Sequence, residues 1–309
     1  MPPRTTNRRK SARSRRPAAS PSTLTVRLTH PDRVIYADEG VTKRDLAIYY
    51  AAVWPWIEPH VTGRPLVLVR CPEGAHGNCF FQKHPPAGLP EAVQRIEIRE
   101  KSETAIYVWV RDLEGLISLI QFGTLEIHAW GASVDDIEHP DRLIFDLDPD
   151  PAVPWKQVLE AAREMRDYLA DLKLKTFVKT TGGKGLHVVA PLAQKQTWAE
   201  VKGFARAVAE EFVRQDPSRF IATASKAARR GKIFIDYLRN DRGASSVVPY
   251  STRAKPGAPV STPISWKELP KLRSAAQFTL QNLPTRLARL RRDPWAEILK
   301  VRQNLASVT

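Results

Sequence analysis

Three aspartates at the ends of apolar strands are the strongest chemical signal in the sequence. Asp146 and Asp148 end an apolar segment that starts at Arg142. Because side chains alternate between the two faces of a strand, both carboxylates point the same way while Leu147 packs behind them. Asp236 ends a second apolar run, Ile-Phe-Ile. If the two strands are neighbours, the three carboxylates converge and can hold two divalent cations, which suits in-line phosphoryl or nucleotidyl transfer.

The spacing around Asp146 excludes one familiar metal site and fits another site poorly. An EF-hand loop that starts at Asp146 needs Gly at its sixth position and Glu at its twelfth, where this chain has Pro151 and Gln157. A haloacid-dehalogenase-type phosphatase needs Thr or Val where the chain has Asp150. Asp146 and Asp148 are also explained by a turn rich in Asp and Pro. Asp236, taken alone, is equally typical of an ordinary strand end.

A glycine-rich segment, Thr180-Thr-Gly-Gly-Lys-Gly-Leu-His187, is a candidate anion-binding loop. Its glycines allow backbone N–H groups to approach an anion, and Lys184 adds a positive charge. It is not a Walker A loop, because the four-residue gap and the Ser or Thr after Lys are missing. A tight hairpin explains the glycines equally well, and His187 and His128 are each compatible with a structural role in a strand.

Basic and aromatic residues add a signal for nucleic acid binding. Residues 225–255 carry many Lys and Arg but only two Asp. This surplus favours phosphate binding because it brackets Asp236. Phe80 and Phe81 beside Lys83 offer aromatic faces next to a cation, which suits base stacking on a single strand. A solvated charged face and a buried strand are the corresponding structural explanations.

The composition indicates the class of protein. The 309-residue chain has 48 Lys and Arg against 33 Asp and Glu, a formal charge of +15, which favours a polyanionic partner. The 42% of hydrophobic residues and eight Trp exclude global disorder. Two cysteines, Cys71 and Cys79, exclude a disulfide scaffold and match no zinc spacing. Without a membrane-spanning run or a secretory signal, we expect a cytoplasmic protein.

The chain divides into a predicted tail and one predicted domain. Residues 1–22 contain seven basic residues, no acidic residue and almost no large apolar group. Such a segment cannot bury enough surface to offset its ordering entropy, so it is predicted to be a disordered basic tail. This tail could bind a nucleic-acid backbone or simply be a solvated terminus, and the sequence favours neither role. Residues 23–309 are predicted to form a single folded domain.

Helices and strands are mixed along this domain without strict βαβ alternation. Thr42 and Asp45 have the form of a capping box at the start of a helix. Residues 266–305 are predicted to be helical and basic. Several strand pairs look like hairpins, so the sequence predicts an α+β fold with a mostly antiparallel central sheet that carries the three aspartates and is flanked by helices.

Taken in order, these motifs resemble the polymerase domain of bacterial ligase D, the end-joining enzyme, within the archaeo-eukaryotic primase superfamily. The resemblance runs from about residue 27 to residue 305 and implies a primase-polymerase fold. It rests on the segments His30-Pro-Asp-Arg-Val-Ile-Tyr36, Gly40-Val-Thr-Lys43, Phe80-Phe-Gln-Lys83, Glu126-Ile-His128, Phe145-Asp-Leu-Asp-Pro149, Thr181-Gly-Gly-Lys-Gly-Leu-His187, Asp236-Tyr-Leu-Arg-Asn240, Pro249-Tyr-Ser-Thr-Arg253 and Asp293-Pro-Trp295.

The resemblance implies a role for each matching side chain. The catalytic metal ligands would be Asp146, Asp148 and Asp236. The incoming triphosphate would be held by His128, Thr181, Lys184 and Arg253, with His187 supporting that site. The DNA contacts would be Phe80, Phe81 and the neighbouring Lys83 at the template, Arg229 near the templating nucleotide, and Arg33 and Lys43 at the 5′-phosphate of a break. Lys43 starts a predicted helix, whose end would add partial positive charge and free N–H groups.

The resemblance also implies an activity and partners. The activity would be that of a template-dependent nucleotidyltransferase, which fills gaps and extends 3′ ends at double-strand breaks during non-homologous end joining. Two Mn²⁺ or Mg²⁺ ions, nucleoside triphosphates (ribonucleotides by preference), 5′-phosphorylated DNA, bacterial Ku and a separate DNA ligase would take part, near the nucleoid. No Lys-x-Asp-Gly ligase motif occurs in the sequence, so no ligase activity is expected. A primase that starts chains on single strands and a non-catalytic DNA-end-binding module are the alternatives.

Overall fold

The computed structural model describes residues 26–225 and 227–305, so the predicted tail over residues 1–22 lies outside the described residues. The strands are β1 (Val34–Tyr36), β2 (Val41–Thr42), β3 (Leu66–Arg70), β4 (Phe80–Gln82), β5 (Val93–Arg99), β6 (Thr104–Val110), β7 (Thr124–Trp130), β8 (Arg142–Pro149), β9 (Phe177–Thr180), β10 (Leu186–Pro191), β11 (Phe220–Ile221), β12 (Ile233–Asp236), β13 (Ser245–Val247) and β14 (Pro263–Ile264). The α-helices are α1 (Lys43–Val61), α2 (Leu113–Gln121), α3 (Trp155–Asp171), α4 (Trp198–Gln215) and α5 (Leu283–Arg289).

The strands form two six-stranded sheets and the small hairpin β1–β2. The first sheet has the order β13-β7-β3-β6-β5, with β4 added beside β3, and the second has the order β11-β12-β8-β10-β9-β14. Every pair of these strands is antiparallel except β11 with β12. The predicted α+β fold with mostly antiparallel strands is therefore confirmed, although the single central sheet is divided into two.

Helices α1 and α2 pack on the first sheet. The predicted capping box is present at the start of α1, where the Thr42 side chain accepts from Asp45 N–H and the Asp45 side chain accepts from Thr42 N–H. The apolar residues of α1 recur at helical spacing and enter the core beside those of β3 and β7. Within the described part of the chain, no helix is both long and apolar enough to cross a membrane.

Helices α3 and α4 cover one face of the second sheet. Strand β8 contributes Leu143, Phe145 and Leu147 to the core under these helices. Because side chains alternate along a strand, the intervening Asp146 and Asp148 point to the opposite face, as the sequence pattern predicted. Burial of three apolar side chains on one face thus fixes where the two carboxylates lie.

The prediction of a helical segment over residues 266–305 is wrong for most of its length. Only the seven residues of α5 and a single 3₁₀ turn at Leu269–Lys271 are helical. Prolines 270, 284 and 294 interrupt the segment, because proline lacks an N–H and clashes inside a helix. The segment is instead tied to the second sheet, since the Trp266 and Trp295 indole N–H groups donate to the carbonyls of Thr176 and Val178.

A disulfide joins Cys71 and Cys79. It closes the turn between β3 and β4, one position beyond the last paired residues, Arg70 and Phe80. The composition excluded a disulfide scaffold but gave no indication that the two cysteines pair. Their proximity follows from the antiparallel register of two strands, which residue spacing alone does not reveal.

Candidate active site

A row of charged and polar side chains crosses four neighbouring strands of the second sheet. The strand registers place Asp236 opposite Asp146, Asp146 opposite His187, and His187 opposite Lys179. Asp148, two residues beyond Asp146, lies on the same face. The predicted neighbourhood of the two aspartate-ending strands is therefore present, on the face of the sheet that α3 and α4 leave open.

Two arginines pair with the three aspartates. Arg239 Nε lies 3.3 Å from Asp146 Oδ2 and 3.2 Å from Asp236 Oδ2, and so bridges both carboxylates. Arg229 Nη1 lies 3.2 Å from Asp148 Oδ2, and its guanidinium stacks 3.6 Å from the ring centroid of Phe234. The positive charges of the arginines therefore offset the mutual repulsion of the carboxylates.

Burial and neighbouring charge move the pKa values of this row in different directions. Burial alone would raise the pKa of Asp146, but contact with His187 and the charges of Arg239 and Lys179 outweigh it and hold this pKa well below its usual range. Burial and the charge of Asp146 raise the pKa of Asp148. Burial and the charge of Lys179 lower the pKa of His187 to about 4, so that its imidazole is neutral at pH 7.

The donor set fits a hard divalent cation. Carboxylate oxygens are the ligands such ions prefer. Burial and, second, the charge of Asp146 raise the pKa of Asp148, and a bound cation would oppose both effects. Residues 26–225 and 227–305 nevertheless contain no three His, Cys, Asp or Glu side chains gathered as ligands around one point. Arg239 instead pairs with both Asp146 and Asp236, so these two carboxylates would have to release its guanidinium to hold a cation.

A cavity of about 340 Å³ opens over the aspartates, between the two sheets. We name it the aspartate cavity. It brings together all five predicted nucleotide-binding side chains and two of the three aspartates, while Asp236 is not among its lining residues. The lining includes Phe81, His128, Asp146, Asp148, Thr181, Lys184, His187, Arg239, Arg253 and Lys255. The wall thus combines carboxylates at the sheet with Lys and Arg around them.

The glycine-rich segment forms the hairpin between β9 and β10 at the rim of this cavity. The Thr181 hydroxyl donates to the Gly185 carbonyl at 3.0 Å and accepts from the Gly183 N–H at 3.1 Å, so it stabilises the turn itself. A side chain at Gly185 would put Cβ 1.9 Å from the Leu147 carbonyl oxygen. Glycine is therefore required for the hairpin to lie against β8, and Lys184 is left exposed at the rim.

The predicted DNA-end residues line a second cavity, of about 260 Å³, near the start of α1. We name it the helix-end cavity. Arg33 and Lys43 lie in its wall together with Arg70. The ammonium of Lys43 donates to the carbonyls of Thr29 at 2.9 Å and Gln121 at 3.2 Å. Burial and the charge of Arg33 lower the pKa of Lys43.

The prediction of free N–H groups at this helix end is wrong. Lys43 N–H donates to the Arg33 carbonyl and Arg44 N–H to the Pro31 carbonyl, both at 2.9 Å. The N–H of Asp45 is taken by the capping box. The preceding chain folds back over the helix start, so an anion in this cavity has to be held by side chains.

The aromatic pair on β4 lies between the two cavities. Phe81, 68% exposed, reaches the wall of the aspartate cavity, whereas Phe80 stacks with Arg70 of the helix-end cavity at 5.7 Å. The alternation of side chains along β4 explains why Phe81 lines the aspartate cavity whereas Phe80 contacts Arg70 on the other face. Lys83 follows β4 and is exposed. Both rings are accessible, as base stacking requires.

Arg239, Arg70 and Glu126 are site residues that the sequence analysis did not single out. Arg239 lies three residues after Asp236, and this spacing is the one signal that could have found it. Its position is set by Asn240, whose side chain bonds both the N–H and the carbonyl of Ile144 on β8. Glu126 belongs to the segment Glu126-Ile-His128 that carries the resemblance, but no role was predicted for it. Arg70 looks like an ordinary charged residue in an apolar strand, and only tertiary contacts reveal its place.

Similarity to known proteins decides the family. The profile of the LigD primase-polymerase domain matches residues 42–295. The chain belongs to the LigD primase-polymerase family. The multifunctional non-homologous end joining protein LigD of Pseudomonas aeruginosa is 41% identical over 292 residues, which are 94% of this chain and 35% of that protein. The LigD protein of Mycolicibacterium smegmatis is 36% identical over 252 residues, 80% of this chain and 33% of that protein. The chain spans about a third of the length of these relatives.

A solved structure of the LigD family supports the same assignment. The polymerase domain from Mycobacterium tuberculosis ligase D, in complex with DNA, matches with a TM-score of 0.82 at 32% sequence identity. The match covers 89% of this chain and 98% of that one. The resemblance inferred from the sequence motifs is therefore confirmed, and the fold is that of a LigD polymerase domain.

Proposed function

We propose that this chain is a template-dependent nucleotidyltransferase that fills gaps and extends 3′ ends at DNA double-strand breaks. The observation that carries the proposal is the register of β8 and β12. It puts Asp146 opposite Asp236, with Asp148 on the same face, and Asp146 and Asp148 line a cavity rich in Lys and Arg. Family membership supports it, since the relatives are named as non-homologous end joining proteins and a related domain binds DNA.

The three aspartates would hold two divalent cations, Mn²⁺ or Mg²⁺, which supply charge neutralisation at the attacking 3′-oxygen and at the leaving pyrophosphate. The chain itself contributes positioning and electrostatics. Strands β8 and β12 fix the carboxylates, and His187 Nε2, 3.4 Å from Asp146 Oδ2, orients one of them. Once released from the carboxylates, the guanidinium of Arg239 is available to a phosphate group.

His128, Lys184 and Arg253 would bind the triphosphate from the walls of the aspartate cavity. Thr181 would act through the hairpin that its hydroxyl closes. Phe80 and Phe81 would stack on the template, with Lys83 and Arg229 nearby. Ribonucleotide and Mn²⁺ preference belong to the proposal as carry-overs from the family resemblance.

The helix-end cavity would bind the 5′-phosphate on the downstream side of a gap. Among the described residues, its lining contains Arg33, Lys43 and Arg70 and no Asp or Glu, which suits a dianionic group. Bacterial Ku and a separate ligase would complete end joining around the nucleoid, and sealing would be the work of that ligase.

One observation favours a non-catalytic end-binding module as second candidate. Each of the three aspartates is already paired with an arginine, so the carboxylates do not have to repel DNA. A primase, by contrast, has no need for a basic cavity at the helix end.

Primer extension on gapped DNA with labelled nucleotides tests these functions. We expect templated addition that is faster with ribonucleotides than with deoxynucleotides and faster with Mn²⁺ than with Mg²⁺. End binding without addition would support the non-catalytic module. Chain initiation on unprimed single strands, with no response to a 5′-phosphate, would support the primase.

A further inference from the structure

Glu126 is a carboxylate buried beneath the cations of the aspartate cavity. It lies on β7 two residues before His128, so the two side chains share one face of the strand. Only 5% of Glu126 is exposed. A buried carboxylate is costly unless charged or hydrogen-bonding groups compensate it, and the groups that do so here indicate its purpose.

Both oxygens of Glu126 have partners. Oε2 lies 2.9 Å from His128 Nε2 and 2.9 Å from Arg253 Nε. The Nε–H of Arg253 does not point at the carboxylate, so this second contact is an ion pair rather than a hydrogen bond. Oε1 accepts a 2.8 Å hydrogen bond from the Ala254 N–H. One side chain therefore fixes a residue of β7 and the backbone and side chain of the loop around residue 253.

The partners of Glu126 face the aspartate cavity. His128 and Arg253 both line it, as does Lys255, two residues further along the same loop. Arg253 also donates from Nη1 to the Thr181 carbonyl at 2.6 Å. Glu126 thus connects three parts of the cavity wall: β7, the loop around residue 253, and the glycine-rich hairpin.

The charge of Glu126 has an electrostatic consequence. Burial alone would raise the pKa of Glu126, but the hydrogen bond from His128 and the charge of Arg253 lower it to about 2. The carboxylate is therefore ionised at neutral pH. It offsets the mutual repulsion of Arg253 and Lys255 and hydrogen-bonds the imidazole of His128, while its burial keeps it away from an incoming anion.

We propose that Glu126 is a positioning residue of the nucleotide site, which holds His128 and Arg253 in place for the triphosphate of a nucleoside triphosphate. This proposal rests on the proposed polymerase function. It predicts that Glu126 governs nucleotide affinity and leaves the metal-ligand row on β8 and β12 unchanged.

The test compares Glu126→Gln with the wild-type protein. Gln keeps the size of the side chain and an acceptor for Ala254 N–H but removes the charge. We expect the KM for the nucleotide to rise about tenfold or more, as for partners that orient ligand-holding groups. We expect kcat and the Kd for gapped DNA to stay within about twofold, because the aspartates and the helix-end cavity are untouched. The Kd for α,β-methylene-ATP with Mn²⁺, measured without primer, should rise as the KM does.

Glu268→Gln is the matched control. Glu268 also pairs with an arginine, Arg286, at 2.9 Å and accepts a 2.8 Å hydrogen bond from the Ser265 N–H. It lines neither cavity. We expect this variant to lose stability but to keep the wild-type KM. In an Arg253→Ala background, Glu126→Gln should add much less to the KM than it does alone, because one partner has already gone.

The outcomes separate this proposal from the proposed function. A wild-type KM and a wild-type Kd for the analogue in folded Glu126→Gln would overturn the role of Glu126, as would an equal change in Glu268→Gln. If the wild-type protein adds no nucleotide but binds the analogue at least about tenfold more tightly than Glu126→Gln, the polymerase fails and the positioning role stands. If the wild-type protein binds no analogue, both fail. If Glu126→Gln does not fold, Glu126→Asp replaces it in the test. Asp keeps the negative charge, but its side chain is one methylene shorter, so the carboxylate lies further from its partners. A wild-type KM for Glu126→Asp would also overturn the proposal.

Discussion

The aspartate cavity and the helix-end cavity both carry basic side chains, but they compensate this charge differently. In the aspartate cavity the two arginines of the lining have anionic partners, since Arg239 pairs with Asp146 and Asp236, and Arg253 with Glu126, whereas Lys184 and Lys255 form no ion pair with a described residue. In the helix-end cavity no carboxylate is found among the described lining residues, and the ammonium of Lys43 is held by neutral oxygens. The aspartate cavity is therefore partly neutralised by carboxylates, whereas the helix-end cavity keeps its full positive charge.

This difference implies two kinds of ligand binding. A ligand of the aspartate cavity has to replace existing ion pairs, so a polyphosphate and cations that arrive together exchange partners with the arginines and carboxylates. A ligand of the helix-end cavity meets unpaired positive charge and needs no exchange. We therefore expect nucleotide addition to depend on the carboxylates and DNA-end recognition to depend on the lysine and arginine side chains.

Loss of one carboxylate should have the largest effect and should be confined to the aspartate cavity. Asp148→Ala is expected to lower nucleotide addition by more than about 100-fold, because even outer partners of metal ligands cost 10- to 100-fold. DNA affinity should be kept or increased, since a negative charge is removed. Single-turnover extension and fluorescence anisotropy measure the two quantities.

Asp150→Ala is the control for this variant. Asp150 is half-buried two residues beyond Asp148. It accepts a hydrogen bond from the Ala152 N–H and does not line the cavity. It should extend primers at the wild-type rate. Wild-type extension by Asp148→Ala would end the two-metal assignment.

Loss of both cations of the helix-end cavity should produce the complementary result. The double variant Arg33→Ala and Lys43→Ala is expected to weaken binding of gapped DNA with a 5′-phosphate by on the order of 1–3 kcal/mol per lost charged hydrogen bond. Binding of the same DNA with a 5′-hydroxyl should scarcely change. Competition titrations with the two DNAs measure this difference.

Arg44→Ala supplies the matched control for that pair. Arg44 is adjacent to Lys43 but pairs with the exposed Asp32 at 2.9 Å and does not line the cavity. Its loss should affect both DNAs equally and weakly. If wild-type protein binds the phosphate and hydroxyl forms equally well, the end-joining assignment loses its mechanistic support.

Acid should destabilise the fold through the aspartate-cavity side. Burial and Lys179 lower the pKa of His187 to about 4, whereas an unfolded histidine titrates near pH 6.5. Between these two pH values His187 is therefore protonated in the unfolded chain and neutral in the folded chain, so protonation favours unfolding. The contribution of His187 to the free energy of unfolding is therefore fully present above about pH 6.5. It is smaller by on the order of 2 kcal/mol at pH 5. Burial also lowers the pKa values of His60 and His128, which adds to the effect.

Urea unfolding at pH 7.5 and pH 5 measures this dependence. His187→Asn should flatten it, because the variant has no imidazole to protonate in either state. The exposed His76 offers a control, since His76→Gln removes a histidine that is not buried. This variant should show the same difference in unfolding free energy between pH 7.5 and pH 5 as the wild-type protein. Equal pH profiles for His187→Asn and the wild-type protein would contradict the linkage.

The smallest predicted effect concerns the contact between the two regions. Arg70 lines the helix-end cavity, stacks on Phe80 and donates to the Phe122 carbonyl at 2.8 Å. Arg70→Ala should weaken binding of both phosphorylated and hydroxyl-ended gapped DNA by about three- to tenfold, since it removes a cation and the stacking partner of Phe80, which we propose stacks on the template. Arg111→Ala breaks a similar pair with Trp109 outside both cavities and should leave binding unchanged. If Arg70→Ala weakened binding of phosphorylated DNA only, Arg70 would act on the 5′-phosphate and not through the Phe80 ring, which would contradict this prediction.

The sequence predicts features that are set by local periodicity better than those set by contacts between distant segments. The alternation on β8 correctly places Asp146 and Asp148 on one face, and the capping box at Thr42 is read from four residues. The bridging position of Arg239 depends on how Asn240 attaches to β8, and the pairing of Glu126 with Arg253 joins segments 127 residues apart. The helix predicted over residues 266–305 fails because two tryptophans bind the sheet and the prolines prevent continuous helix. The catalytic and binding roles themselves stay predictions.

The alternation along β8 also protects the protein against its nearest misfolded form. If β8 paired one residue out of register, Asp146 and Asp148 would turn under α3 and α4, where Leu143, Phe145 and Leu147 now pack. Two carboxylates would then be buried without Arg229 or Arg239, at a cost of several kcal/mol for each ion. The two aspartates thus disfavour the shifted register of β8. A chain that folds stably has Asp146 and Asp148 on the face that lines the aspartate cavity.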